Sequence, residues 1–196
     1  MTEVNEPRRR FLIGATSFVA GAGVVGVATP FVQSWNPSAK AKSVGAPVQA
    51  DISKIDPGAM ITVAWQGKPV WVVRRTAENL KNLALEEHSG ELRDPDSDVN
   101  QQPDYARNAV RSIRDDIFVA VGICTHLGCA PKYYPEMESQ PWDESWAGGF
   151  FCPCHGSMFD IVGRVFKGVP APTNLKVPPH YFDGSILTIG EERGTA

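Results

Sequence analysis

The longest uninterrupted apolar run of the chain lies near its N-terminus. No charged residue occurs from Phe11 to Val32, and a helix of this length rises about 33 Å, enough to cross a hydrocarbon core of about 30 Å. A cleavable signal peptide has a shorter apolar stretch of roughly 7 to 15 residues, and a buried helix of a soluble protein rarely lacks charges for so long. The pattern therefore predicts an uncleaved transmembrane anchor over residues 11–32.

Three arginines precede the anchor and predict its orientation. Arg8, Arg9 and Arg10 are followed by Phe11 and Leu12, which is a twin-arginine export pattern. Positive charges stay on the cytoplasmic side of a membrane. We therefore expect residues 1–10 in the cytoplasm and the chain after Val32 on the opposite side.

After the anchor, the pattern changes to a polar segment and then to short strands. Residues 33–50 are rich in Ser, Ala and Pro and predict a flexible neck. Residues 60–65 and 70–73 predict a hairpin, and Thr76 predicts a helix cap. Further strands are predicted at 117–121, 149–151, 164–166 and 186–189, and a polar surface excursion at 86–114. Residues 51–196 are therefore expected to form a mostly β head.

Composition and charge narrow the classes of partner. A length of 196 residues suits one ordinary domain with an accessory segment, and 42% hydrophobic residues with 18 Gly and 16 Pro are typical of a folded, loop-rich protein. The formal net charge of -3 offers no basic stripe for a polyanion. Nucleic-acid binding is therefore not expected.

All four cysteines and two of the four histidines lie in two short clusters. The first reads C-T-H-L-G-C from Cys124 to Cys129, and the second reads C-P-C-H-G-S from Cys152 to Ser157. A Cys-x-His and a Cys-x-x-His spacing bring two thiolates and two imidazoles within reach of one centre. Such a set suits either zinc or a [2Fe-2S] cluster in which histidines replace thiolates on one iron. One cysteine is left over in each cluster.

These two boxes resemble those of the Rieske iron-sulfur proteins, and in particular the quinol-oxidising type of cytochrome bc1 complexes. The extra cysteine pair distinguishes the quinol-oxidising type, because Rieske ferredoxins and ring-hydroxylating dioxygenases lack it. The resemblance covers nearly the whole chain. It implies an N-terminal transmembrane helix followed by a Rieske-type antiparallel β head, with a small cluster-binding subdomain at about 117–175.

The resemblance also implies roles for individual residues. Cys124 and Cys152 would bind one iron of a single [2Fe-2S] cluster, and His126 and His155 would bind the other. Cys129 would pair with Cys154 in a disulfide. The residues implied to tune or cover the cluster are Leu127, Ser157 and Phe159, together with Gly168, Pro170 and Pro172 of a third loop.

One of these positions departs from the family pattern. In many high-potential members, the second residue after the serine is a tyrosine whose hydroxyl hydrogen-bonds a ligand sulfur, whereas this chain has Phe159. Because hydrogen bonds to cluster sulfurs stabilise the added electron, we expect a lower reduction potential than in the tyrosine-bearing relatives.

The implied function is that of the electron-transfer subunit of a quinol:cytochrome c reductase. His126 and His155 would bind quinol and take up its proton, with cytochrome b and cytochrome c1 as partner subunits in a dimeric complex. Ubiquinol is the favoured substrate and menaquinol the second candidate. The expected location is a bacterial inner membrane, crossed once, with the head in the periplasm.

Two alternatives stay open from the sequence. One is the small Rieske subunit of an arsenite-oxidase type enzyme, which is also exported by twin arginines. The other is a periplasmic binding domain stabilised by zinc or by two disulfides, although neither explains the Cys and His spacing well. His88 and His180 lack ligand spacing and are expected to be surface or packing residues, and Trp65, Trp71, Trp142 and Trp146 are expected in the core.

Overall fold

The computed structural model describes residues 5–88 and 90–193, without the side chains of residues 84–88. The chain divides into two units, with the boundary between Ser43 and Val44. The first unit contains the long helix α1 (Glu6–Ser34), which begins at the N-cap Asn5, whose side chain accepts a hydrogen bond from the Arg8 N–H. This helix is long and apolar enough to cross a membrane, and it extends beyond both ends of the predicted span.

The hydroxyls within α1 are paired with the helix itself. Thr16 donates to the Leu12 carbonyl and Thr29 to the Val25 carbonyl, both at 2.7 Å. An unpaired hydroxyl in hydrocarbon is costly, and this back-bonding removes the cost. The threonines are therefore compatible with a span in lipid.

The segment predicted as a flexible neck contains regular structure. Helix α2 (Ala39–Val44) lies within residues 33–50, and strand β1 (Val48–Asp51) begins there. Ser38 caps α2 by accepting a hydrogen bond from the Ala41 N–H at 3.1 Å. Only residues 35–38 and 45–47 lie outside helix and strand in this segment, so the irregular stretches are shorter than the composition indicates.

Within the described residues, the head contains three antiparallel sheets of three strands each. The first has the order β2-β3-β4, formed by β2 (Met60–Trp65), β3 (Lys68–Arg74) and β4 (Ile117–Val121). Gln66 and Gly67 join β2 and β3 with φ values of 50° and 70°, as the mirror-image turns of two-residue hairpins require. The predicted hairpin is confirmed, with Lys68 and Pro69 inside the strand instead of the turn.

Six further strands form the second and third sheets. One has β5 (Lys132–Tyr134), β6 (Gly149–Cys152) and β7 (Ser157–Asp160) in that order. The other has the order β1-β9-β8, with β8 (His180–Asp183) and β9 (Ile186–Ile189). The strand predicted at 164–166 is present only as isolated bridges from Val165 to Phe159 and from Phe166 to Leu92.

Helix α3 (Ala77–His88) follows the first hairpin. The Thr76 hydroxyl accepts from the Asn79 N–H at 3.1 Å, and the Asn79 side chain accepts from the Thr76 N–H at 3.0 Å. Each residue thus pairs an N–H that the helix leaves free. The predicted cap is confirmed.

The polar stretch 86–114 is not simply a surface excursion. Between α3 and β4, Arg111 is 0% exposed and Gln102 5% exposed. Arg111 also has a positive φ of 48°, which a non-glycine residue adopts only when its surroundings hold it there. The prediction was wrong here because buried hydrogen bonds, and not apolar side chains, fix this segment.

The outer edge of β8 is covered by a side chain. The Tyr105 hydroxyl donates to the His180 carbonyl at 2.9 Å and accepts from the His180 N–H at 2.7 Å. Burial raises the pKa of Tyr105 to about 12, so the hydroxyl keeps its proton at neutral pH. Tyr105 therefore takes the place of a neighbouring strand at this position.

The described residues of the head contain three buried apolar clusters, of which the smallest holds Leu83, Ile161 and Val162. Of the two larger clusters, one lies between the sheets of β1 and β2 and includes Ile52, Val72 and Leu187. The other includes Trp71, Phe118, Phe150 and two of the cysteines, Cys124 and Cys152. The second cluster therefore extends directly beneath the loops that carry the sequence motifs.

Candidate metal centre

The first motif forms a turn directly after β4. The Gly128 N–H donates to the Cys124 carbonyl at 3.1 Å, and the Cys124 N–H donates to the Cys129 carbonyl at 2.8 Å. Gly128 has a φ of 83°, which glycine adopts without strain. At the entry of the loop, a Cβ on Gly122 would collide with the Trp71 indole. Glycines thus allow the loop both to leave the sheet and to close.

The second motif connects β6 and β7 and repeats this geometry. The Gly156 N–H donates to the Cys152 carbonyl at 3.0 Å, and Gly156 has a φ of 74°. Cys152 is the last residue of β6 and lies opposite Ser157, the first residue of β7. In each loop, the first cysteine is therefore held at a strand end by a glycine four residues later.

The four predicted ligands form an inner and an outer pair. Cys124 and Cys152 are each 2% exposed, and they lie close enough that the Cys152 thiol helps to raise the pKa of the Cys124 thiol. His126 is half-buried and His155 exposed, and their ring centroids lie 4.8 Å apart, edge to face. The structure thus brings all four residues together, with sulfur on the inside and imidazole at the surface.

The electrostatics of the inner pair suit a metal. Burial raises the pKa of the Cys124 thiol, while the His126 N–H and the Ser157 hydroxyl oppose this change. A free thiol here would stay protonated at neutral pH, but a bound cation would displace the proton. Two buried thiolates beside two accessible imidazoles fit a [2Fe-2S] cluster with one sulfur-ligated and one imidazole-ligated iron.

A disulfide joins the two loops. It links Cys129 to Cys154, which are 25 residues apart in sequence with their Cα atoms 6.7 Å apart. The sulfurs of both lie within 4.8 Å of the Cys152 sulfur, but a bonded cysteine has no thiolate to donate to a metal. Because Cys124 and Cys152 are free, the structure does not contain the two disulfides of the alternative interpretation.

The third loop packs on the other two through hydrogen bonds. The Ser157 hydroxyl, 0% exposed, accepts from the Ala171 N–H at 3.1 Å and lies beside the Cys124 thiol, whose pKa it lowers. Because the hydroxyl accepts from Ala171, its own proton is left for the sulfur. Gly168 has a φ of 76°, and it is exposed together with Pro170 and Pro172. These three residues turn the loop at the surface while Ala171, 0% exposed, enters the core.

A contact between the first and third loops was not identified from the sequence. The Thr125 hydroxyl donates to the Thr173 carbonyl at 2.7 Å. Thr125 stands between the two ligand positions of the first motif. This position is the one feature of the sequence that could have pointed to the contact. The contact fixes the first loop relative to the residues after Pro172.

Phe159 and Leu127 occupy opposite environments. Phe159 is 0% exposed in the apolar cluster that contains Cys124 and Cys152, and lies opposite Phe150 across the hairpin. Its ring offers no hydrogen-bond donor to the sulfurs. Leu127 is 72% exposed beside His126 at the tip of the first loop. An exposed leucine at this place is available for contact with an apolar partner.

The other histidines and tryptophans considered in the sequence lie outside the two motifs. His180 is 1% exposed, with Nδ1 2.8 Å from the Pro178 carbonyl oxygen, and is a packing histidine. The side chain of His88 lies outside the described residues. Trp65, Trp71 and Trp146 are buried, and Trp142 stacks on Phe151 with 3.9 Å between centroids.

Comparison with known proteins gives consistent matches over the chain. Residues 46–179 match the family described as "Rieske [2Fe-2S] domain", and residues 1–38 match "Ubiquitinol-cytochrome C reductase Fe-S subunit TAT signal". The ubiquinol-cytochrome c reductase iron-sulfur subunit of Allochromatium vinosum is 55% identical over 98% of this chain and 93% of its own length. The subunit of the same name from Blastochloris viridis is 42% identical over 93% and 92%.

A third relative with this name comes from Bradyrhizobium diazoefficiens. It is 41% identical over 89% of this chain and 89% of its own length. These names favour the reductase over the arsenite-oxidase and zinc-binding alternatives.

Proposed function

Because the chain belongs to the Rieske iron-sulfur subunits of ubiquinol-cytochrome c reductase and has their electron-transfer role in the bc1 complex, we propose which of its residues perform that role. Cys124, His126, Cys152 and His155 hold its [2Fe-2S] cluster, and the two histidines contact the substrate. The pairing of two buried sulfurs with two imidazoles at the surface, 4.8 Å apart, supports this assignment.

The bound cluster accepts and passes on one electron in a range of about -150 to +300 mV, because neutral imidazoles replace two thiolates. The protein contributes a hydrogen-bond acceptor for the substrate at the surface. Each ligand histidine has a second ring nitrogen, and the exposure of His155 leaves this nitrogen open to a hydroxyl from solvent. It accepts the hydrogen bond of a quinol hydroxyl and then the proton.

The surroundings of the histidines select for an apolar substrate. Leu127, 72% exposed, offers a side chain against which a quinone ring packs. The disulfide between Cys129 and Cys154 holds the two loops together, so the imidazoles keep their relative position when a substrate binds. Ubiquinol is the proposed substrate and menaquinol the second candidate.

The anchor supports a defined place in the membrane. Arg8, Arg9 and Arg10 precede the apolar helix α1, and we assign them to the cytoplasm and the head to the periplasm of a bacterial inner membrane. The partners are cytochrome b and cytochrome c1 in a dimeric complex. The irregular residues 35–38 and 45–47 are the proposed joint on which the head moves between them.

The testing experiment is an EPR-monitored redox titration of the full-length protein in its membrane complex, repeated across pH. A reduced [2Fe-2S] signal whose midpoint is constant at low pH and falls at higher pH is expected, because reduction then takes up a proton at a histidine. Cys152→Ser should abolish the signal and His88→Gln, outside both loops, should keep it. Zinc in place of iron, or a signal retained in Cys152→Ser, contradicts the assignment.

A further inference from the structure

The head buries three arginine side chains close together. Arg75, Arg111 and Arg164 are 2%, 0% and 0% exposed. Within the described residues, Asp160 is the one carboxylate that is fully buried. A buried charge is costly unless it is paired or serves a purpose, so three cations with a single buried anion need an explanation.

Arg111 is held by neutral oxygens. One terminal nitrogen donates to the Val162 and Gly163 carbonyls at 3.0 and 3.1 Å. The other donates to the Leu175 carbonyl at 2.8 Å and to the Gln102 amide oxygen at 2.9 Å. These bonds satisfy the two terminal nitrogens, while the buried Nε has no hydrogen-bond partner, and none of them cancels the positive charge.

Arg75 has the same type of surroundings. It donates to the Val110 carbonyl and to the Ser112 hydroxyl, both at 2.8 Å. Its guanidinium lies 5.6 Å from the centre of the Phe118 ring. Asp115 is exposed and the Asp116 side chain is 42% exposed, so solvent screens both carboxylates.

The charges persist at neutral pH. Burial lowers the pKa of Arg75 and of Arg111 to about 10, and both stay protonated. Asp160 forms an ion pair with Arg164, with 2.6 Å between carboxylate oxygen and Nε. Asp94, the other carboxylate facing Arg111, is half-buried and accepts from the Asp98 and Val99 N–H groups. The interior therefore keeps a net positive charge.

This charge borders the apolar cluster that contains the inner cysteine pair. Phe118 and Leu175 belong to the same buried cluster as Cys124 and Cys152, and they contact Arg75 and Arg111 respectively. Asp160 lies three residues after Ser157 in β7, roughly 10 Å along the strand. Apolar side chains, which screen poorly, separate the arginines from the sulfurs.

We propose that the buried arginines Arg75, Arg111 and Arg164 act on the cluster as a fixed positive field that favours its reduced state. This inference rests on the proposed cluster ligands. Reduction adds one negative charge, which a nearby cation stabilises. A unit charge roughly 15 Å away, at an effective dielectric constant of about 20, changes the equilibrium constant for reduction by about sixfold. The arginines are thus positioning residues that set how readily the site accepts an electron.

The test compares Arg111→Met with Arg111→Lys in the membrane complex. Both variants lose hydrogen bonds to the surrounding carbonyls, but only Arg111→Met loses the charge. We expect the methionine variant to be about sixfold harder to reduce in an EPR-monitored titration, and the lysine variant to be close to the unsubstituted protein. Arg75→Met and Arg75→Lys form a second pair with the same expected order if the Arg111 variants do not assemble.

A substitution that changes the buried charge in the opposite direction distinguishes an electrostatic effect on the midpoint from general damage to the structure. Asp160→Asn keeps an oxygen for the Val162 and Arg164 N–H groups but removes a negative charge, so its cluster should be easier to reduce. Equal midpoints in the methionine and lysine variants, or a midpoint lowered in Asp160→Asn, would overturn the inference. Absence of the [2Fe-2S] signal in the unsubstituted protein would instead overturn the ligand assignment.

Discussion

Replacing Ser157 by alanine tests the contact between the third loop and the ligand sulfur. The hydroxyl accepts from the Ala171 N–H at 3.1 Å, and it lies beside the Cys124 thiol, whose pKa it lowers, so its proton is placed to bond the ligand sulfur. A hydrogen bond to a charged group contributes about 1.5 to 3 kcal/mol, and one-electron potentials change by about 59 mV for each tenfold in equilibrium constant. If the bond strengthens fully on reduction, Ser157→Ala lowers the midpoint by about 60 to 130 mV.

The same variant should lose stability. Ala171 is 0% exposed, and leaving its N–H without an acceptor costs about 1 to 3 kcal/mol. Midpoints are measured by EPR-monitored titration, and stability by urea unfolding followed through the visible circular dichroism of the cluster. Thr188→Val is the matched control, since Thr188 is a buried hydroxyl residue in β9, outside the three loops. It should change stability alone. A Ser157→Ala midpoint equal to that of the control would refute the argument.

Three further changes test other features. Phe159→Tyr places a hydroxyl in the core that contains the inner cysteines and should raise the midpoint by roughly 40 mV for each kcal/mol of hydrogen bonding gained; an unchanged midpoint would show that the missing hydroxyl does not set the potential. The double variant Cys129→Ala/Cys154→Ala opens a loop of 25 residues and should lower the unfolding free energy by about 3.5 kcal/mol in urea, whereas equal urea midpoints would contradict a stabilising disulfide. Burial lowers the pKa of His180, so the unfolded chain binds this proton more tightly and the free energy of unfolding should decline as the pH falls below about 6.5. Unfolding midpoints at pH 7.5 and 5.5 should therefore differ less in His180→Gln than in the unsubstituted protein. The same pH difference in both proteins would argue against His180 as the cause.

Local patterns predicted those parts of the fold that local interactions determine. The hairpin of β2 and β3 was evident because alternating apolar residues flank a Gln-Gly turn, and α3 because Thr76 and Asn79 form a reciprocal cap. Strands β1, β5, β7 and β8 were not predicted. Strand β1 pairs with β9 from the far end of the head sequence, and β5 pairs with β6 across the intervening residues 135–148, so no short window contains the reason for these two.

The candidate site was likewise predictable only where short sequence patterns determine it. The ligand residues stand in two short motifs, so spacing alone brought out Cys124, His126, Cys152 and His155. The buried arginines gave no such signal. Arg111 lies in a polar stretch, and its acceptors come from residues 51 to 64 positions away, together with Gln102. Only the folded chain shows that this polar residue is interior.

The Tyr105 hydroxyl, which covers the edge of β8, helps the head to avoid self-association. A terminal strand with free N–H and C=O groups is a template for another chain, and proteins concentrated at a surface are exposed to this hazard. Tyr105 occupies both groups of His180, and Arg193 donates to the Phe182 carbonyl at 3.2 Å. Neighbouring heads therefore meet a strand on which both groups of His180 and the Phe182 carbonyl are already bonded, and this discourages the edge-to-edge pairing from which β aggregates grow.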